Sequence, residues 1–198
     1  MAKKWACFVD RDGTLIRDVG YLSRVDQIEV LPRVGEGIRL LQSLRLMVVM
    51  VTNQSAVARG YINEGELHEI HREIASRLAA DGAVLNGIYY CPHHPTEGHP
   101  PYRVLCQCRK PDTGLIERAC IELGLEARGS YVIGDQIIDM ELARRVGAKG
   151  LLVGTPPAEA IDRPPADPGA DAIWKRATDF WDAAQLISRD VGPAASWP

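Results

Sequence analysis

No apolar run in this chain approaches the roughly 18 residues that a helix needs to cross a bilayer, and Met1-Ala2-Lys3-Lys4-Trp5 enters the first strand pattern without an apolar leader. A surplus of charge is also missing: 23 basic against 26 acidic residues leave a net charge of -3, which gives no reason to expect a nucleic acid or an anionic membrane as partner. Aromatics are few at 6%, but a 46% apolar fraction is enough to fill a core with aliphatic side chains. A disulfide framework is disfavoured because the five cysteines are odd in number and three of them crowd into positions 91, 106 and 108. There is no internal repeat. These absences lead us to expect a cytoplasmic monomer with a single domain over 1–190 and a frayed tail over 191–198.

What remains is an alternation of short continuous apolar runs and helical patterns. Strands are expected over 5–9, 46–51, 87–90, 130–133 and 150–153, and helices over 34–44, 64–80, 113–123 and 138–146. Such runs imply a parallel sheet covered on both faces, a doubly wound α/β fold. An irregular flap fills 15–31, and the prolines at 156, 157, 164, 165 and 168 mark 155–169 as an extended connector. Beyond it, 170–174 is a candidate edge strand and 178–187 a helix, with Trp174, Phe180, Trp181 and Leu186 as core contacts.

Chemistry enters at the strand ends. Asp10 and Asp12 leave the first strand one residue apart, and side chains at i and i+2 face the same way in an extended chain. Taken alone, D-x-D-G also reads as an Asx turn. The later strands change the balance. The run ending at Val51 enters Thr52-Asn53-Gln54, Arg109-Lys110-Pro111 precedes a helix, and the run ending at Ile133 enters Gly134-Asp135 with Asp139 close behind. In order, these resemble the four-part signature of the haloacid dehalogenase-like phosphatases.

In a parallel sheet the carboxyl ends of the strands share one edge, so these groups can converge. Asp10 is then the candidate nucleophile and Asp12 the acid/base. Thr52 and Lys110 supply donors to phosphoryl oxygens. A catalytic Mg2+ would be held by Asp10, Asp135 and Asp12 through its main-chain carbonyl, with Asp139 orienting that metal's surroundings. Separately, Cys91-Pro92-His93 and Cys106-Gln107-Cys108 offer three thiolates and an imidazole for a closed, structural Zn2+ site, with His94 and His99 as competing ligands.

Together, DRDGTLI at 10–16, DVGY at 18–21, TNQSAVARGY at 52–61, YYCPHHP at 89–95, CQCRKP at 106–111 and GDQIIDM at 134–140 are similar to one family, the D-glycero-D-manno-heptose 1,7-bisphosphate phosphatases. These are a zinc-loop branch of the haloacid dehalogenase superfamily, related to the histidinol phosphatases. The resemblance covers about 7–153. It implies a small-molecule sugar bisphosphate as substrate, losing its 7-phosphate on the way to lipopolysaccharide precursors. It also implies a pocket lined by Asp18, Tyr21, Asn53, Gln54 and Ser55, with Arg109 recognising the substrate and Arg59 assisting. Arg11 and Gln136 are further candidate substrate contacts, and Gln136 departs from the family, which often has Lys there. The spacing between motifs leaves no room for a large cap domain, so the cleft should be open. Histidinol phosphate hydrolysis and non-catalytic sugar-phosphate binding are the alternative functions.

Overall fold

The computed structural model describes residues 4–154 and 174–192. Six strands form one sheet: β1 Ala6–Val9, β2 Met47–Asn53, β3 Gly87–Cys91, β4 Tyr131–Gly134, β5 Lys149–Val153 and β6 Trp174–Ala177. Their order is β3-β2-β1-β4-β5-β6, and every neighbouring pair is parallel. The described helices are α1 Val34–Ser43, α2 Glu64–Ala80, α3 Gly114–Leu123, α4 Ile137–Val146 and α5 Phe180–Val191.

The continuous apolar runs are explained by burial on both faces. Cys7 and Val9 of β1 join a core with α1, α2 and α5, while Ala6 and Phe8 face the other way into a core with α3 and α4. Helix α2 begins where Asn63 accepts the Glu66 N–H at 2.9 Å and Glu66 accepts the Asn63 N–H at 2.8 Å, a reciprocal capping box. Its buried side carries Leu67, Ile70, His71, Ile74 and Leu78 at helical spacing.

The strand order sends the chain outward from β1 to β2 and β3 and then back across to β4. This puts a topological switch beside β1, where a crevice opens past the carboxyl ends of the strands. Between β1 and α1 lie only a flap and the 3-10 turn Val25–Gln27, tied down by Ile16 bridging to Val30. No cap domain covers the crevice among the described residues. No described helix is long and apolar enough to cross a membrane.

Two expectations change. The edge strand expected over 170–174 runs on to Ala177, pairing with β5 from Gly150↔Trp174 onward, while residues 170–173 of the expected span lie outside the described residues. Of the four C-terminal side chains expected in the core, Phe180 is buried, Leu186 packs against the core from a half-buried position, and Trp174 and Trp181 are half-buried. Trp181 instead lies under the Arg33 guanidinium, 4.1 Å from its ring. The proline-rich connector and residues 193–198 lie outside the described residues.

Candidate active site and thiol cluster

Asp10 sits one residue past β1, its N–H donating to Ile133 O at 2.9 Å, and Asp135 sits one residue past β4. The pairing of the two strands therefore brings these carboxylates together. Oxygens of Asp10, Asp135 and Asp139 all lie within 4.8 Å of one another. Gly13 makes the close approach possible. It has φ of +67°, and a Cβ there would stand 2.2 Å from Asp135 Oδ2.

Lys110 enters from the loop before α3. Its side chain is 1% exposed, and Nζ lies 2.8 Å from Asp10 Oδ1 and 2.7 Å from Asp139 Oδ1. Burial would depress the ammonium pKa, but the two carboxylates outweigh it and hold Lys110 charged. One cation facing three carboxylates leaves negative charge uncompensated. Burial first, then Asp10 and Asp139, push Asp135 up to about 7, and its Oδ1 is buried without a partner. Both Asp139 oxygens are engaged, one by Lys110 and the other by the Gln136 N–H at 3.2 Å. Asp10 Oδ1 takes both Lys110 and the Arg11 N–H, at 2.7 Å for the latter. The unengaged oxygens of Asp10 and Asp135 fit a hard divalent cation.

Asp12 is held on its own side. Arg11 Nε donates to both of its oxygens at 3.1 Å, Arg11 Nη2 to Oδ1 at 2.9 Å, and Gln54 Nε2 to Oδ2 at 2.8 Å. Burial raises the Asp12 pKa while Arg11 pulls it back, and the net shift is upward, toward the protonated carboxyl an acid needs. Gln54 also donates to Thr52 Oγ1 at 2.9 Å, as expected for residues i and i+2 at a strand end.

Three residues expected to line the pocket are placed otherwise. Arg11 is 1% exposed with its guanidinium committed to Asp12. The Gln54 amide is buried on Asp12 and Thr52. Asn53 points to the opposite side and clamps the Lys110 backbone, accepting its N–H at 3.0 Å and donating to its C=O at 3.1 Å. Asp18, Tyr21, Ser55, Arg59, Arg109 and Gln136 remain exposed or half-buried. Asp18 closes an Asx turn on Gly20 N–H at 2.7 Å. The Tyr21 and Tyr61 rings stand 4.8 Å apart, and the Arg59 guanidinium lies 5.3 Å from the Tyr21 ring, so the flap and the turn after β2 meet. Arg109 donates to His93 O at 3.0 Å, linking the Lys110 loop to the cysteine loop.

That loop gathers Cys91, His93, Cys106 and Cys108. Cys108 Sγ lies 3.2 Å from Cys91 Sγ, 3.3 Å from Cys106 Sγ and 3.3 Å from His93 Nδ1. A tetrahedron around a metal with sulfur bonds of about 2.3 Å has edges of about 3.8 Å, so one ion fits with slight expansion. His94 is not in the cluster, because its Nδ1 accepts the Thr96 and Glu97 N–H groups. Sequence reasoning passed over His71, which is 2% exposed with Nε2 3.4 Å from Arg11 Nη1. The available signal was a polar residue on the apolar side of α2.

Known proteins resemble this chain in sequence and in fold. A family model of HAD-hydrolase-like proteins matches residues 107–174. The D-glycero-beta-D-manno-heptose-1,7-bisphosphate 7-phosphatase of Haemophilus ducreyi is 41% identical over 150 residues, covering 75% of this chain and 81% of its own. The Escherichia coli K12 protein of the same name is 35% identical and covers 96% of each chain. The solved D,D-heptose 1,7-bisphosphate phosphatase of B. bronchiseptica, complexed with magnesium and phosphate, superposes with a TM-score of 0.79 at 26% identity, covering 94% of this chain and 99% of its own. With the aspartates, threonine and lysine gathered at one sheet edge and relatives of this identity along most of its length, the chain belongs to the heptose-1,7-bisphosphate 7-phosphatase family of haloacid dehalogenase-like phosphatases.

Proposed function

We propose that this protein hydrolyses the 7-phosphate of D-glycero-β-D-manno-heptose 1,7-bisphosphate through a phosphoryl group carried on Asp10. The observation that carries this reading is the Asp10 carboxylate fixed on one oxygen by Lys110 and the Arg11 N–H, with the other oxygen unengaged. That second oxygen attacks phosphorus, the bond from phosphorus to the sugar oxygen breaks, and Asp12 gives its proton to the departing alkoxide. Asp12 then takes a proton from water as that water attacks the phosphorylated Asp10. The bond from phosphorus to the Asp10 oxygen breaks, releasing inorganic phosphate. Lys110 and the Thr52 hydroxyl, which already accepts from Gln54 and can donate its own proton, stabilise phosphoryl oxygens.

Asp10 and Asp135, with the Asp12 main-chain carbonyl, would hold Mg2+, which neutralises charge on the phosphoryl oxygens. The orphaned Asp135 Oδ1 and the magnesium in the B. bronchiseptica structure support that identity. Zn2+ fits Cys91, His93, Cys106 and Cys108, a closed set of soft ligands with no position left for water. This site pins the loop that carries Arg109, whose planar fork suits the far phosphate of the substrate. The resulting cleft is open, and Tyr21, Arg59 and Arg109 supply specificity around a small sugar bisphosphate.

The test is a kinetic panel of the heptose bisphosphate, histidinol phosphate and simple monophosphates on the wild-type protein, with Asp10→Asn as control. The bisphosphate should have much the highest kcat/KM, and Asp10→Asn should lower kcat by at least about a thousandfold. Equal turnover of a monophosphate would overturn the substrate. Retention of more than about a tenth of wild-type kcat by Asp10→Asn would overturn the covalent route.

A further inference from the structure

The guanidinium of Arg11 has three edges to satisfy in the interior, and Asp12 accounts for only two of them. Nε and Nη2 form a fork on the carboxylate, while Nη1 points the other way, to Nε2 of His71 on α2. Arg11 is 1% and His71 2% exposed, so the two side chains meet in the interior. Arginine is always charged and only donates, so the ring nitrogen facing it must be an acceptor. That requirement fixes the tautomer: His71 is neutral and carries its proton on Nδ1. Consistent with this, burial and then the Arg11 charge depress its pKa to about 3.

Among the described residues, the Arg11 contact is the one hydrogen bond that the imidazole makes. Nδ1 has no hydrogen-bond partner, an expensive condition for an N–H in the interior, so capping its own surroundings is not its purpose. The ring is also held in orientation. Tyr90 of β3 packs edge-on against it with ring centroids 5.5 Å apart, and the Tyr90 hydroxyl is itself anchored on Glu64 and on His68 Nε2. One face of α2 thereby delivers a single acceptor to the rear of the group that grips Asp12.

We propose that His71 is a positioning residue for the acid/base Asp12, acting through Arg11: its Nε2 anchors the guanidinium so that the fork holds the Asp12 carboxyl in line with the leaving oxygen. This rests on the reading of Asp12 as acid/base. The acceptor matters most where the leaving group needs a proton, because a sugar alkoxide departs poorly without one whereas p-nitrophenolate departs unaided.

The experiment compares kcat/KM, which reports the steps through leaving-group departure, for the heptose bisphosphate and for p-nitrophenyl phosphate. His71→Leu should lower the value for the sugar bisphosphate about tenfold or more through kcat, with KM unchanged, and change that for p-nitrophenyl phosphate by less than about threefold. His71→Gln, whose amide oxygen can occupy the place of Nε2, should restore the sugar reaction to within about threefold of wild type. Added to Arg11→Lys, which abolishes the fork, His71→Leu should cause no further loss. An equal loss on both substrates, no loss, or failure of the Gln rescue overturns the proposal. Because His71→Leu could impair folding, 15N NMR of the wild-type protein provides an independent check at neutral pH. A proton on Nδ1 is expected, and a proton on Nε2 overturns the assignment. Asp12→Asn separates the two levels: if it keeps near wild-type activity, the acid/base reading fails, and if it is inactive while the His71 variants show no leaving-group dependence, only the positioning role fails.

Discussion

Asn53 and Lys110 hold each other by reciprocal hydrogen bonds, Lys110 N–H to Asn53 Oδ1 at 3.0 Å and Asn53 Nδ2 to Lys110 O at 3.1 Å. The last residue of β2 thus fixes the backbone from which the buried ammonium extends to Asp10 and Asp139. Asn53→Ala should leave Lys110 charged but loosely aimed. It should lower kcat about tenfold or more and stability by about 1–3 kcal/mol, the range for leaving buried backbone groups unpaired. Kinetics and urea denaturation measure the two effects, and an unchanged kcat would mean that the clamp is dispensable.

Lys110→Met removes the only cation that the described structure places among Asp10, Asp135 and Asp139. Activity should fall by orders of magnitude. Without divalent metal the folded state should lose about 3–5 kcal/mol at neutral pH, as when one partner of a buried pair is deleted. Mg2+ should recover part of the stability and none of the turnover. Denaturation with and without Mg2+ distinguishes this from a general loss of packing.

Asp135 is held up to about 7, chiefly by burial and then by Asp10 and Asp139. Its folded pKa lies above its unfolded one, so in metal-free protein its stabilising contribution is fully present below the unfolded value and is lost as pH rises through about 7. A divalent cation reverses this by favouring the carboxylate. The increase in Tm from saturating Mg2+ should therefore grow between about pH 5.5 and pH 8, with proton release on binding. Thermal scans across that range check it, and a pH-independent magnesium shift would remove Asp135 from the ligand set.

Purified protein should hold about one zinc per chain from the four-ligand cluster of Cys91, His93, Cys106 and Cys108. In that metal-free cluster burial, then the Cys108 thiol, keep Cys91 protonated, so its thiolate forms only with the ion. Cys108→Ser should lose zinc, lower Tm and raise KM for the bisphosphate through Arg109, while Cys120→Ser, outside the four-ligand group, should keep the zinc and the KM. Elemental analysis and kinetics decide, and a zinc-free wild type would sink the assignment.

Much of this was legible in the sequence because it depends on local chemistry. Strands buried on both faces had to be continuous apolar runs, so β1 to β5 were readable to within a residue or two. Helix α2 was readable over its full length, since the Asn63–Glu66 box marks its start. Edge strand β6 was not read past Trp174, because an edge strand with exposed Lys175 and Arg176 lacks the apolar signature of a central one.

Asp10, Asp12, Thr52, Lys110 and Asp135 could be picked out as carboxylates, a hydroxyl and an ammonium at strand ends and helix starts. Their partners could not. That Arg11 turns inward onto Asp12, that Asn53 clamps a loop rather than facing substrate, and that His71 stands behind Arg11 were all decided by tertiary structure, whereas the C-x-H spacing already favoured His93 over His94 and His99 as the fourth member of the thiol cluster. The physical reason is that the sequence fixes which groups a residue can offer, whereas the strand pairing and the packing of α2 against the sheet fix which buried group stands opposite, and a buried donor must point to whatever acceptor the fold puts within about 3 Å.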